Sequence, residues 1–249
     1  MAFLWSLVVV DPLIILSTIL CGCVSIVCTL FDKSGNIAIY VARFWARSLL
    51  VFAGVKVRVE GLEKIHPDGH YVFCANHLSY MDTPVVLGRI PVQFRFLAKR
   101  GLFQIPFMGT HLTQAGHIPV TLDDPRAAIK TLTRAAQTIH ERAVSLLIFP
   151  EGGRSEDGLL QPFKDGAAFV AIRAGVPIVP MALIGTREVL PMHGATFRSG
   201  PVTLRIGDPI STEGMTSHDR RALTERVREQ IVEFLQPASP AKPSAPSRP

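Results

Sequence analysis

Two kinds of hydrophobic pattern divide the chain. From Leu13 to Leu30 there is an uninterrupted run of 18 residues without a charge, and Asp11 is the only charged residue before it. That length is just enough to cross a hydrocarbon core, and it equally suits a shallow hairpin entering one leaflet. Residues 36–53 then show helical spacing. Ile37, Tyr40, Val41, Phe44, Trp45 and Leu49 repeat on one side, and Arg43 and Arg47 lie on another. That pattern fits a helix in the headgroup region or an ordinary helix packed on a core.

From Val55 the period changes to two. Val55-Lys56-Val57-Arg58-Val59-Glu60 alternates as a half-buried strand does. Further strands are predicted at 71–75, 94–98, 117–120, 145–149, 178–184 and 202–206. Helices are predicted at 79–88, 101–108, 124–142, 164–174 and 216–236, the third opened by Asp124 as N-cap and Pro125 at N1. Strands alternating with helices predict an α/β fold with a mixed, partly parallel sheet flanked by helices. The organisation read from this is a membrane-associated helical segment over 1–53, a catalytic-sized domain over 54–236 and a disordered Pro/Ala/Ser/Lys tail over 237–249.

Composition sharpens this only in part. The chain has 249 residues, 48% hydrophobic, with a formal net charge of +6. A basic, apolar chain points to an anionic membrane surface, an acidic partner or a phosphorylated substrate. Nucleic acid is not expected, because no basic stripe is interleaved with aromatics. Lys33 is the first cation, so no basic region precedes the apolar run as in a cleaved signal peptide. The cations that follow it predict that the rest of the protein lies on the cytoplasmic side. The four cysteines lie in apolar surroundings and predict no disulfide framework. The eight histidines and the acids show no metal-ligand spacing, so no metal is expected. There is no GxSxG elbow of a serine hydrolase.

Candidate chemistry sits at strand ends. After the strand at 71–75 comes Asn76-His77-Leu78-Ser79-Tyr80-Met81-Asp82. A general base needs an imidazole and a partner that fixes its tautomer, and His77 with Asp82 can supply both. The same residues also read as a helix start, with Ser79 as N-cap and Asp82 at N3. Lys99 ends the strand at 94–98, where ligands gather in open α/β sheets, and opens Lys99-Arg100-Gly101-Leu102-Phe103-Gln104-Ile105-Pro106-Phe107-Met108-Gly109. Leu102, Phe103, Ile105 and Phe107 suit either an acyl groove or the core. After the strand at 145–149 comes Phe149-Pro150-Glu151-Gly152-Gly153-Arg154-Ser155. Its glycines permit close backbone approach, and Arg154 offers a planar fork for phosphate oxygens. Val176-Pro177-Ile178-Val179-Pro180 brackets an apolar strand with prolines and supplies no reactive group.

These four blocks, in this order over roughly residues 55–210, resemble the glycerolipid acyltransferase family, and within it the bacterial 1-acyl-sn-glycerol-3-phosphate acyltransferases. Gly153 departs from the pattern, since the family usually has threonine there. The resemblance implies that His77 and Asp82 are catalytic and that Lys99, Glu151, Gly152 and Arg154 bind substrate. It implies acyl transfer from acyl-CoA or acyl-carrier protein to the free hydroxyl of a membrane lysolipid, without a cofactor. The acceptor it suggests is 1-acyl-sn-glycerol-3-phosphate, with a lyso-ornithine lipid or glycerol-3-phosphate as alternatives. The expected location is the cytoplasmic face of the inner membrane. A thioesterase and a non-catalytic membrane or carrier-protein binding module are the rival readings.

Overall fold

The structure is a computed structural model that describes residues 4, 6–28, 30–121, 124–194 and 196–236. The tail from 237 lies outside the described residues. A π-helical turn, Ser6–Val10, runs into α1, Asp11–Cys28, and α2 follows at Asn36–Phe52. The remaining helices are α3 (Asp82–Arg89), α4 (Met108–Gln114), α5 (Pro125–Arg142), α6 (Gly166–Ala174), α7 (Thr186–Val189) and α8 (Arg220–Leu235). The strands are β1 (Val55–Glu60), β2 (Val72–Ala75), β3 (Phe94–Lys99), β4 (Ile118–Val120), β5 (Ser145–Ile148), β6 (Ile178–Ile184) and β7 (Gly200–Ile206).

They form one sheet in the order β1-β7-β6-β2-β5-β3-β4. The block β6-β2-β5-β3-β4 is parallel throughout, and only the β6–β7 pairing is antiparallel. Inner strands of this sheet are apolar on both faces because helices cover both. Phe73, Leu147 and Val179 point into one core, shared with Ala46, Leu49 and Leu50 of α2 and with Val85 and Val86 of α3. Val72, Cys74, Leu146, Ile148 and Ile178 point into the other, under α5, α6 and α8. The carboxyl ends of β2, β5 and β3 therefore emerge side by side at one sheet edge.

One expectation needs correction. No single helix spans 101–108. A 3₁₀ turn covers Arg100–Gln104, the chain is extended at Ile105, and α4 begins only at Met108. Pro106 accounts for the break, since a residue before proline is pushed out of the helical region. In α2 Arg43 and Arg47 lie apart from Ile37, Tyr40 and Phe44, as the spacing predicts, with Arg47 exposed. Arg43 is buried and donates to the carbonyls of Ile90 and Val92, while Arg47 donates to that of Gly88. They satisfy the carboxyl-terminal end of α3, where cations are favoured. The outward side of α2 is apolar, with Ile37, Tyr40, Phe44 and Val51 exposed. The capping of α5 is as expected: the Asp124 side chain accepts from the backbone N–H of Arg126 and Ala127.

Candidate active site

Strand β2 ends at Ala75, paired with Met181, while its neighbour β6 runs on to Ile184, and Asn76 reaches it through its side chain. Its side-chain Nδ2 donates to the Leu183 carbonyl, and its Oδ1 accepts from the Leu183 N–H. A side-chain amide thus replaces a strand partner, and the backbone can leave the sheet at His77 without orphaning β6. His77 is then held from both sides by the loop after β5. Its N–H donates to Glu151 Oε1 at 2.6 Å, and its carbonyl accepts from the Ser155 N–H at 2.9 Å. Glu151 Oε2 accepts from the Gln161 N–H at 2.8 Å.

The His77 imidazole lies on Phe149, ring centroids 3.9 Å apart and planes 10° from parallel. Its Nδ1 is 2.7 Å from Asp82 Oδ2. Asp82 is fully buried and His77 is 14% exposed. The same Oδ2 accepts from the N–H groups of Leu78 and Ser79, at 2.7 and 2.8 Å. The carboxylate thus accepts three donors on Oδ2, while buried Oδ1 has no partner among the described residues. It assigns the proton to Nδ1 and leaves Nε2, which has no partner among the described residues, as the basic nitrogen.

This corrects the helix-start reading. Helix α3 begins at Asp82 with Met81 as its N-cap residue and no side-chain cap. Asp82 binds the loop that precedes the helix. Ser79 is buried, accepts from the Met81 N–H and donates to the Leu190 carbonyl.

Arg154 lies in the loop after β5, its guanidinium carbon 3.5 Å from the centre of the Tyr80 ring. It makes no hydrogen bond among the described residues, and its buried Nε lacks a partner. Gly152 adopts φ 76°, and a Cβ there would lie 2.8 Å from Lys164 Nζ. The positive φ favours glycine there, whereas the flexible end of Lys164 could move aside for a Cβ. Gly153 is different: a Cβ there would meet nothing within 4 Å. The missing threonine hydroxyl is therefore not a consequence of crowding. Lys99 is exposed at the end of β3, on the same edge, with no hydrogen bond or ion pair to His77 or Arg154 among the described residues. An open hollow of about 690 Å³ runs along the loop, lined by Arg154 and Lys164 and by the acids Glu151, Glu156 and Asp157.

Burial raises the Glu151 carboxyl to about 7, against the opposing effect of the two N–H donors it accepts from. Burial, and secondarily Glu151, push the Cys74 thiol upward, which makes it an inert core group. Among the described residues no group of three or more His, Cys, Asp or Glu is placed to hold a metal.

The structure thus joins His77, Asp82 and Glu151 in one hydrogen-bonded unit and brings Arg154 to it through Tyr80, while Lys99 stands apart. Glu151 ties two loops together with both oxygens. Asn76, Tyr80, Phe149 and Ser155 carry contacts that no spacing in the sequence assigns to them.

A family profile described as Acyltransferase matches residues 56–184. A chloroplastic 1-acyl-sn-glycerol-3-phosphate acyltransferase of Arabidopsis thaliana is 36% identical over 200 residues, 79% of this chain and 53% of the relative. The Saccharomyces cerevisiae 1-acyl-sn-glycerol-3-phosphate acyltransferase is 33% identical over 214 residues, 85% of this chain and 70% of the relative. The chain spans about half the length of its chloroplastic relatives. The crystal structure of the 1-acyl-sn-glycerophosphate acyltransferase PlsC from Thermotoga maritima superposes with a TM-score of 0.79 at 26% identity, covering 94% of this chain and 96% of that one.

Proposed function

This chain belongs to the acyltransferase family, and on that premise we propose that it acylates the free hydroxyl of 1-acyl-sn-glycerol-3-phosphate to make phosphatidic acid. The acyl donor is acyl-CoA or acyl-carrier protein. The carrying observation is the His77–Asp82 pair with Nε2 unoccupied, beside an Arg154 whose donors are unmet. His77 Nε2 takes the hydroxyl proton as the oxygen attacks the thioester carbonyl, and buried Asp82 stabilises the imidazolium. Collapse of the tetrahedral intermediate breaks the C–S bond, and the imidazolium returns its proton to the thiolate. Arg154 binds the acceptor phosphate through its planar fork. Exposed Lys99, on the neighbouring strand, adds long-range attraction for that phosphate. Glu151 and Gly152 shape the loop that presents Arg154. No cofactor is needed for this chemistry.

The π-helical turn and α1 together support a membrane position. Ser6–Cys28 is long and apolar enough to cross a bilayer, with a mean hydropathy of 2.4. Yet contacts along it hold it to the rest of the chain. Ser6 Oγ accepts from the Phe197 N–H, Thr18 Oγ1 accepts from Trp45 Nε1, and Ser25 Oγ pairs with His111 Nδ1 at 2.6 Å. A helix bound to its own domain near both ends suits a hairpin lying in one leaflet, the cytoplasmic one, better than an isolated span.

The test is purified protein incubated with acyl-CoA or acyl-carrier protein and a panel of lysolipids plus glycerol-3-phosphate. New phosphatidic acid is expected. Free fatty acid alone would identify a thioesterase, turnover confined to another acceptor would reassign the substrate, and no turnover with either donor would leave a binding module.

A further inference from the structure

We propose that Leu102–Met108 is a second lipid-inserting surface, led by Phe107 and continuous with the apolar face of the N-terminal hairpin. The Met108 N–H bonds to the Pro106 carbonyl at 2.7 Å, closing a three-residue γ-turn with Phe107 at its centre, φ 62° and ψ −51°. That sense of turn is rare and strained for a residue with a side chain. Glycine would adopt it freely, and glycine is used two positions on, where a Cβ at Gly109 would lie 2.0 Å from the Phe103 carbonyl oxygen. Position 107 instead carries a phenyl ring that is 73% exposed. The fold thus holds an apolar ring in a strained turn without gaining its burial. Leu102, Ile105 and Met108 around it are exposed as well. An apolar cluster of this kind marks a contact surface.

Position and charge select the occupant. Helix α4 starts at Met108, and its His111 is bonded to Ser25 near the end of α1. The exposed Val24 and Val27 of α1 and Phe31 beyond it adjoin this joint. Lys33, Lys99 and Arg100 are exposed, and the sequence from Lys99 to Gln114 contains no carboxylate. An apolar segment that opens on two exposed cations and carries no carboxylate fits an anionic bilayer surface. Because Lys99 and Arg100 also end β3, insertion would bring the edge that carries His77 down to the lipid.

The proposal rests on the lysolipid reading in only one of its two tests. In the first, Phe107→Trp is made with Trp5→Phe and Trp45→Phe, and the protein is reconstituted into phosphatidylcholine–phosphatidylglycerol vesicles. Blue-shifted emission, quenched by acyl-brominated lipid, is expected. Solvent-like emission that brominated lipid does not quench overturns the proposal, whether or not the protein turns over any lysolipid. In the second, Phe107→Gly, which suits the turn, is assayed on vesicle-embedded and on short-chain monomeric acceptor. Turnover is expected to fall about tenfold on vesicles, the scale of losing one inserted ring, and to be unchanged on the monomer. A loss confined to carrier-protein donors, or a changed chain-length preference on the monomer, overturns it in favour of a protein-docking or acyl-groove role.

Discussion

The loops after β2 and β5 leave the sheet side by side, yet their key side chains are treated in opposite ways. Asp82 is fully buried and receives three donors on one oxygen, and His77 is fixed through its backbone, its ring face and Nδ1. Arg154 has no hydrogen bond among the described residues and rests on an exposed aromatic ring. Each hydrogen bond to a charged group contributes about 1.5–3 kcal/mol. An exposed cation–π contact contributes about 0.5–1 kcal/mol. Under the proposed reading, the proton-transfer half is built before substrate arrives, and the anion-binding half is completed by it. Rigidity belongs where geometry sets the rate, and unmet donors belong where a ligand supplies the partner.

The strongest way to break this contrast is at the preorganised half. His77→Ala should lower kcat about 10²–10⁴-fold with the fold and membrane binding retained. Near-normal turnover would remove His77 as the base. Asp82→Asn is the subtler variant. Oδ1 has no partner, so an amide nitrogen can take its place while the remaining oxygen keeps all three donors. Only the charge opposite the imidazolium is lost, and kcat should fall about 10²-fold or more with Tm nearly unchanged. A large drop in Tm would show that Asp82 acts mainly by holding the loop.

The open half should fail differently. Arg154→Ala should raise the acceptor KM about tenfold or more with a smaller change in kcat. Tyr80→Leu should raise it only about three- to fivefold, and Tyr80→Phe should restore it, because the ring face is what the guanidinium touches. A drop in kcat at unchanged acceptor KM would make Arg154 part of the rigid half after all.

Glu151 links the two halves, and its effect is read in stability rather than in turnover. Its folded value of about 7 lies above its ordinary 4.5. Between those values the folded state holds a proton that the unfolded state has released, so stability falls as pH rises through that window. The loss is on the order of 3 kcal/mol once ionisation is complete. Glutamine does not titrate. The stability advantage of wild type over Glu151→Gln should therefore shrink between pH 5 and pH 8, as read by Tm. Parallel profiles would mean that Glu151 is not held neutral by the fold.

Periodicity made the strands legible. Alternation at 55–60 and short apolar runs elsewhere placed all seven within about two residues, because inner strands must bury both faces. The helix ends were less legible. Pro106 broke a helix whose apolar residues had suggested continuity, and Asp82 turned its carboxylate to the loop before it. The partners of Arg43 and Arg47, carbonyls at the end of α3, exist only after tertiary packing, so spacing does not encode them. The candidate site divides in the same way. His77, Asp82, Glu151 and Arg154 stand out by chemistry at strand ends. Tyr80, Phe149, Ser155 and the amide of Asn76 act across the β2–β5 and β2–β6 registers, and one-dimensional spacing does not encode those contacts.

The Phe149 ring beneath His77 also makes the imidazole spectroscopically distinct. Protons held over an aromatic face are shielded by its ring current, so the His77 resonances should lie upfield of those from the other seven histidines. A titration followed by NMR could then watch this one imidazole protonate in place, and loss of the upfield shift would report the moment at which the ring leaves its seat.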